Sequence, residues 1–539
     1  MDTGGGSLKP QIRYGLLSVF SGKSKMGREI EMGIGGAIGG AIGGASGTLV
    51  NTVLEKHKRY GDVYVKDDFF WGIGIECESY FEMTKPVTVT DTFIRENHRP
   101  ERYSVDYFKS YKSALFKSTL ELLTMKTPQF SLPLLINAHS ITRTDKFLEH
   151  ETLYKKGTPP NPAFQGKTIF DALKKKEPAL FEKLYETNYT FDGDSIEIMT
   201  QDFYKTTVKK VFTEFTESRK RFEKAMQTVF AEQCLLLEHG QIQWARQNHG
   251  LAVMATNQKN LAIFNNGTYH INLTLPTQLN AEGKIADFPL FEKQHCTLIR
   301  YIQWLEPLLV GVFGSPDCLA AVRPDLYAAG TQRGAMSRYI GLGSYDTKKM
   351  EKGKILTVEL DTVRSTWYTA YHKNSGYEAL KTIGLDINFN KHWNHGIEIR
   401  FFDWFPDGRL LGLLHFLVFV MDVSLDEYSA PDPLENTIWN GWMERAVRLG
   451  ASAGCTEMEA SLLTKILCVE VIASRDLNLV FADLFHKLSK KWRGKGPCSG
   501  LFLEDELKVE PVVAIPTVTV PVVPRRGWFD WVWWPFRRC

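Results

Sequence analysis

In the segment Trp71-Gly-Ile-Gly-Ile-Glu-Cys-Glu78, polar and apolar residues alternate. Side chains point to opposite sides along a strand, so Gly74, Glu76 and Glu78 share one face and Ile73, Ile75 and Cys77 the other. Two carboxylates on one face, about 7 Å apart along the strand, suit one or more hard cations. The same alternation recurs in His270-Ile-Asn-Leu-Thr-Leu275, which groups His270, Asn272 and Thr274, and in Gly396-Ile-Glu-Ile-Arg-Phe-Phe402, which groups Glu398 with Arg400. Carboxylates, one imidazole, one guanidinium and small polar groups fit a divalent metal bound to polyphosphate, with arginine neutralising phosphoryl oxygens. Taken singly, each segment also reads as an antiparallel strand with one wet face. Together, their narrow choice of polar residues favours one shared site.

Such segments need a scaffold, and the chain is long enough to provide it. Its 539 residues are 43% hydrophobic and 24% charged, an ordinary globular balance. One large composite domain with terminal additions is expected. With 65 basic and 62 acidic residues the net charge is +3, which argues against nucleic acid as a specific partner. The eight cysteines form no CxxC or CxxH pair, so neither a zinc knuckle nor a redox dithiol is indicated, and their scatter suits a reducing compartment.

Three zones differ in character. Residues 1–66 include the charge-free repeat Gly33-Ile-Gly-Gly-Ala-Ile-Gly-Gly-Ala-Ile-Gly-Gly-Ala-Ser-Gly47. Membrane insertion or glycine-zipper packing of 32–54 and a flexible linker both remain open for it. Residues 67–492 read as mixed α and β. Helical spacing predicts one long amphipathic helix over 203–247, others over about 288–312, 434–450 and 457–491, and a buried helix at Leu410–Val423. In 505–539 a Pro/Val-rich extended arm leads to Trp528, Trp531, Trp533 and Trp534 flanked by arginines. Contact of 525–539 with a membrane interface or a partner stands beside docking on the protein's own surface or another subunit.

The Gly74-Ile-Glu76-Cys-Glu78, His270-Ile-Asn272 and Glu398-Ile-Arg400 elements resemble, in order and spacing, the GxExE, HxN and ExR elements of the amidoligases. These are carboxylate–amine ligases of the glutamine synthetase and glutamate–cysteine ligase superfamily. The resemblance covers roughly residues 68–425. A helical insert at about 100–250 and the segment Gly330-Thr-Gln-Arg-Gly-Ala-Met-Ser-Arg-Tyr-Ile-Gly-Leu-Gly-Ser344 look most like uncharacterised amidoligase-like proteins of large DNA viruses.

The resemblance implies an α+β fold: a curved, mostly antiparallel sheet with a concave active-site face and helices packed on the other side. ATP and Mg2+ would lie on that face. Glu76, Glu78, Glu398 and His270 would be metal ligands; His270, Asn272 and Arg400 would contact nucleotide or phosphate. Arg400 would steady the transferring phosphoryl group, and Arg333 and Arg338 are candidates for holding the substrate carboxylate or acyl-phosphate. The last two read equally as surface ion pairs around a glycine-rich loop. No Gly-Lys-Ser/Thr follows Gly341-Leu-Gly343, so that turn is not a Walker loop.

The chemistry implied is amide formation from a carboxylate and an amine, each a small molecule or a peptide. A carboxylate resists amine attack until phosphorylation gives it a good leaving group, and that transfer depends on charge neutralisation. Water must be excluded. Trp393, Phe401, Phe402, Trp404 and Phe405 read as a dry wall or, more simply, as core. Asp403 and His395 lie near enough in sequence to be considered as the base. A non-catalytic membrane-associated or virion component with the same fold, and a metal-dependent hydrolase, are the competing classes. The HExxH pattern of many such hydrolases is absent. The expected location is the cytoplasm, that of a host cell if the chain is viral, with membrane or virion attachment as the variant; an oligomer is compatible.

Overall fold

The computed structural model describes residues 69–89, 130–138, 141, 169–180, 188–192, 195–200, 207–232, 236–237, 240–246, 248, 268–281, 284–316, 328–335, 344–354, 386–389, 396–426 and 430–503. Arg338, Trp393, His395, the glycine repeat, the Gly341-Leu-Gly343 turn and the 505–539 arm lie outside these residues.

Each of the three alternating segments forms a strand: β1 (Phe69–Ser79), β7 (Thr268–Gln278) and β11 (Ile397–Asp403). With β4 (Tyr189–Asp192), β5 (Ser195–Met199) and β10 (Ile387–Phe389) they make a six-stranded sheet ordered β10-β11-β7-β1-β5-β4, antiparallel at every junction. The two 11-residue strands β1 and β7 lie side by side at its centre. Gly396 makes the start of β11 fit. Its φ is +84°, and a Cβ there would stand 2.3 Å from the Leu273 carbonyl oxygen of β7.

One face of this sheet is apolar and receives helices. Phe215 of α2 (Val208–Glu232) meets Tyr269, while Phe291 and Phe313 of α3 (Phe288–Phe313) meet Phe389 and Phe402. Behind α3 lie α4 (Asp407–Asp426), α5 (Thr437–Leu449), α6 (Glu457–Leu467) and α7 (Leu477–Trp492), with a short α8 (Pro497–Phe502) against α4. Among the described residues α4 is the helix long and apolar enough to cross a membrane, yet 83% of its most apolar window is buried inside this fold. A helix apolar all round finds that environment in the centre of a large core. Phe401, Phe402, Trp404 and Phe405 are likewise core residues.

The stretch expected as a helical insert holds, among its described residues, α1 (Ile169–Lys176) and α2 but also four strands. β4 and β5 extend the main sheet, and β2 (Phe81–Val89) forms a second sheet with β3 (Phe130–Ile136) and β6 (Ile242–Trp244). A separate pair joins β8 (Ser344–Asp346) to β9 (Glu351–Lys354).

Two helices differ from their expected lengths. α2 stops at Glu232 instead of continuing to 247, and Leu237, within the expected span, is 79% exposed. Gly240 takes a left-handed φ of +82°, after which Trp244 pairs across from Phe81 and stacks on it at 3.9 Å. The stretch 457–491 is broken after Leu467, where Cys468 adopts φ 50°; Asp476 then caps α7 by accepting from the Asn478 N–H. The Ser474-Arg-Asp476 signal was present in the sequence.

Candidate functional site

The antiparallel registers decide which polar groups share the sheet's second face. Glu76 of β1 stands opposite His270 of β7, and Glu78 opposite Thr268. Asn272 stands between Gly74 and Glu398, and Asn388 of β10 stands beyond Glu398. On the other flank Glu197 of β5 is opposite Glu78. Glu76, Glu78, Glu197, Thr268, His270, Asn272, Asn388, Glu398 and Arg400 are all buried.

Their charged atoms converge. His270 Nδ1 lies 3.3 Å from Glu76 Oε2, 3.5 Å from Glu398 Oε1 and 3.9 Å from Glu78 Oε1. Asn272 donates to Glu76 Oε1 at 3.1 Å, Thr268 to Glu78 Oε2 at 3.2 Å, and Asn388 to Glu398 Oε2 at 2.8 Å. Arg400 donates to Glu398 Oε1 at 2.9 Å. Three carboxylates around one imidazole repel one another strongly away from water.

Burial first, then the Arg400 charge, pushes the His270 pKa down to about 4, against the pull of Glu76 and Glu398. The ring is therefore neutral near pH 7 and keeps one nitrogen lone pair. Thr268 Oγ1 lies 3.5 Å from Nε2. In the tautomer with the proton on Nε2, the Nδ1 lone pair faces the carboxylate oxygens. The tautomer with the proton on Nδ1 instead donates it to Glu76.

Glu76, His270 and Glu398 each offer one ligand atom within 4.8 Å of the others. Donors about 2.0–2.1 Å from one hard cation stand at most about 4.2 Å apart, so the 3.3 and 3.5 Å separations fit and a small inward movement closes the set. Two carboxylates and one imidazole, without a thiolate, match Mg2+ or Mn2+ better than a soft metal. Asn272 and Asn388 would then orient Glu76 and Glu398 from behind, while Thr268 holds the adjacent Glu78.

Arginines border this cluster. Burial opposes the Arg400 charge, but Glu398, Glu78 and Glu76 outweigh it and hold the guanidinium above its ordinary range. Arg333 follows Gln332 at the start of a short helical turn. It is fully buried, so its reading as a surface ion pair is overturned. Its Nε donates to the Arg400 carbonyl at 3.2 Å, and Nη1 and Nη2 have no hydrogen-bond partner among the described residues. Burial, then repulsion from Arg400, lowers its pKa to about 10. Two neighbouring guanidiniums, one with two nitrogens unsatisfied among the described residues, have the chemistry to receive an anion.

Asp403, considered as a base, instead accepts from the Asn248 side chain, the Thr331 hydroxyl and the backbone N–H groups of Ser315, Gln332 and Arg333. Burial raises its pKa against the pull of these donors, but both oxygens are already engaged in holding the turn. Asn388 and Glu197 were not singled out from the sequence. Both sit in short alternating stretches, Asp386-Ile-Asn-Phe389 and Ser195-Ile-Glu-Ile-Met199, that carry the same polar-in-apolar signal as β1 and β11.

Comparison with known protein families gives no match. Among curated proteins, "Uncharacterized protein R704" of Acanthamoeba polyphaga mimivirus is 39% identical over 394 residues, spanning 72% of this chain and 68% of the relative. The alternating strands and their buried charges thus belong to a chain of the same family as this mimivirus protein.

Proposed function

We propose that the chain is an ATP- and Mg2+-dependent carboxylate–amine ligase of the glutamine synthetase-like superfamily, forming an amide bond through an acyl-phosphate. The observation that carries this reading is the convergence of Glu76, His270 and Glu398 beside Arg400 and Arg333 on one face of one sheet. Mg2+ bound by Glu76, His270 and Glu398, with Glu78 alongside, would neutralise the polyphosphate of ATP and align it for transfer to the carboxylate. Arg400, tied to Glu398, would pair with phosphoryl oxygens, and Arg333 would bring the two guanidinium nitrogens that lack a partner among the described residues to the same anion. Burial of every one of these groups excludes water, which an acyl-phosphate requires. In this reading the polar side of the sheet is the concave face of the curved glutamine-synthetase-like fold, and the helices occupy its back.

Calorimetric titration with ATP and Mg2+ tests the proposal. Wild type should give a binding heat that the Glu76→Gln/Glu78→Gln variant lacks. Equal heats, or none from either protein, would sink the ligase reading and leave a non-catalytic protein of the same fold.

A further inference from the structure

Asp403 closes β11, and the register of that strand against β7 shifts between Ile399 and Phe402. After the shift Asp403 stands opposite Thr268, whose side chain belongs to the polar face. Its two oxygens are filled from separate parts of the chain. Oδ1 accepts from Asn248 Nδ2 at 2.8 Å and from the Arg333 N–H at 3.1 Å. Oδ2 accepts from the Ser315 N–H at 3.1 Å, the Thr331 hydroxyl at 2.5 Å and the Gln332 N–H at 3.1 Å. The same turn is laced again: Gln332 Nε2 donates to the Asn248 and Pro316 carbonyls, and the Gly334 N–H to Thr331 Oγ1.

The consequence falls on Arg333. A buried guanidinium with two unsatisfied nitrogens is unfavourable where it stands and would move toward water if its backbone were loose. Here the backbone is pinned by its own N–H and the one before it, both on Asp403. Asparagine cannot substitute, because it offers one acceptor oxygen and turns an NH2 group toward at least two donors.

We infer that Asp403 is a positioning residue, whose carboxylate fixes the Thr331–Arg333 turn so that Arg333 presents its free guanidinium nitrogens, beside Arg400, to an anionic ligand. The inference rests on the metal-and-phosphate reading of the site. It assigns Asp403 no contact with metal or substrate; its action runs through Arg333.

The test uses Mn2+ alone and Mg·ATP as separate probes, read by calorimetry on the full chain, with Asp403→Asn, Arg333→Gln and the double variant. Asp403→Asn should bind Mn2+ within a few-fold of wild type and lose at least about tenfold in Mg·ATP affinity, since hydrogen bonds of charged groups are at stake. Arg333→Gln should show a similar loss, and the double variant little more than Arg333→Gln alone, the signature of two residues acting through one group. Additive losses, or a parallel fall in Mn2+ affinity, would show Asp403 to be fold glue only. If Asp403→Asn does not fold, Thr331→Val removes a single one of its bonds; the same split between probes supports the inference and unchanged Mg·ATP affinity overturns it. A wild type that binds Mn2+ but not Mg·ATP removes both this inference and the ligase reading. A wild type that binds Mg·ATP as well as Asp403→Asn does removes this inference alone.

Discussion

Two buried carboxylate environments lie a few residues apart in β11, and they are built in opposite ways. Asp403 is ringed by N–H and O–H donors from several segments, so its charge is dispersed and its position fixed. Glu398, in the same strand, is gathered with Glu76 and Glu78 around one imidazole nitrogen, where like charges face each other. The first arrangement makes a fold rigid. The second raises the energy of the fold and is expected where a cation is to be held. Burial alone does not separate structural from functional charge; what surrounds it does.

The comparison breaks first at Asp403. Asp403→Ala should destabilise the protein by about 3–5 kcal/mol in denaturant titrations, because it strands several buried donors at once. A loss below about 1 kcal/mol would remove Asp403 from the structural side of the comparison. Glu76→Gln should behave in the opposite sense. Without metal, loss of a crowded like charge should leave the melting temperature unchanged or raise it. With Mn2+ at about 100 times its Kd, wild type should gain about 2.7 kcal/mol and the variant little. Equal gains in both would mean that the triad is not the cation site.

A third measurement sharpens the comparison by using buried groups outside the site. His295 accepts from the Leu275 N–H at Nε2 and reaches the Phe291 carbonyl with Nδ1, a pattern only the neutral ring satisfies. Burial lowers its pKa to about 4, and burial followed by Arg493 does the same for His415, against an ordinary 6.5. Between these values the unfolded chain binds more protons than the folded one. Stability from these rings is therefore complete above pH 6.5 and is lost as pH falls toward 4, by about 1.4 kcal/mol per unit for each ring. His295→Gln should flatten the denaturation midpoint against pH; an identical slope in the variant would refute the assignment. The smallest effect is a baseline. Arg448 and Glu444 form an exposed i,i+4 pair at 3.6 Å, and Arg448→Ala should change stability by no more than about 0.5 kcal/mol.

Much of the site was legible because a strand encodes its faces in consecutive residues. Glu76 and Glu78, His270 and Asn272, and Glu398 and Arg400 each declare a common face by spacing alone. Helices α3 and α4 were legible for a similar reason, through an unbroken apolar pattern and stop signals such as Gly314 and Pro316. The end of α2 was not, since what ends it is the pairing of β6 with β2, a contact across more than a hundred residues. Asn388 and Glu197 escaped because their strands are three and five residues long, too short for alternation to stand out from chance.

The order of residues therefore determined which side chains lie together on each ribbon and which ribbons carry the clustered polar groups. Only the tertiary structure decided that Glu76 stands opposite His270, that Asn272 stands between Gly74 and Glu398, and that Arg333 is buried against Arg400 instead of paired at the surface. The physical reason is that strand register and the Asp403 anchorage are contacts between residues far apart in the chain. Local spacing carries no record of them; they follow from packing the apolar face of the sheet against its helices.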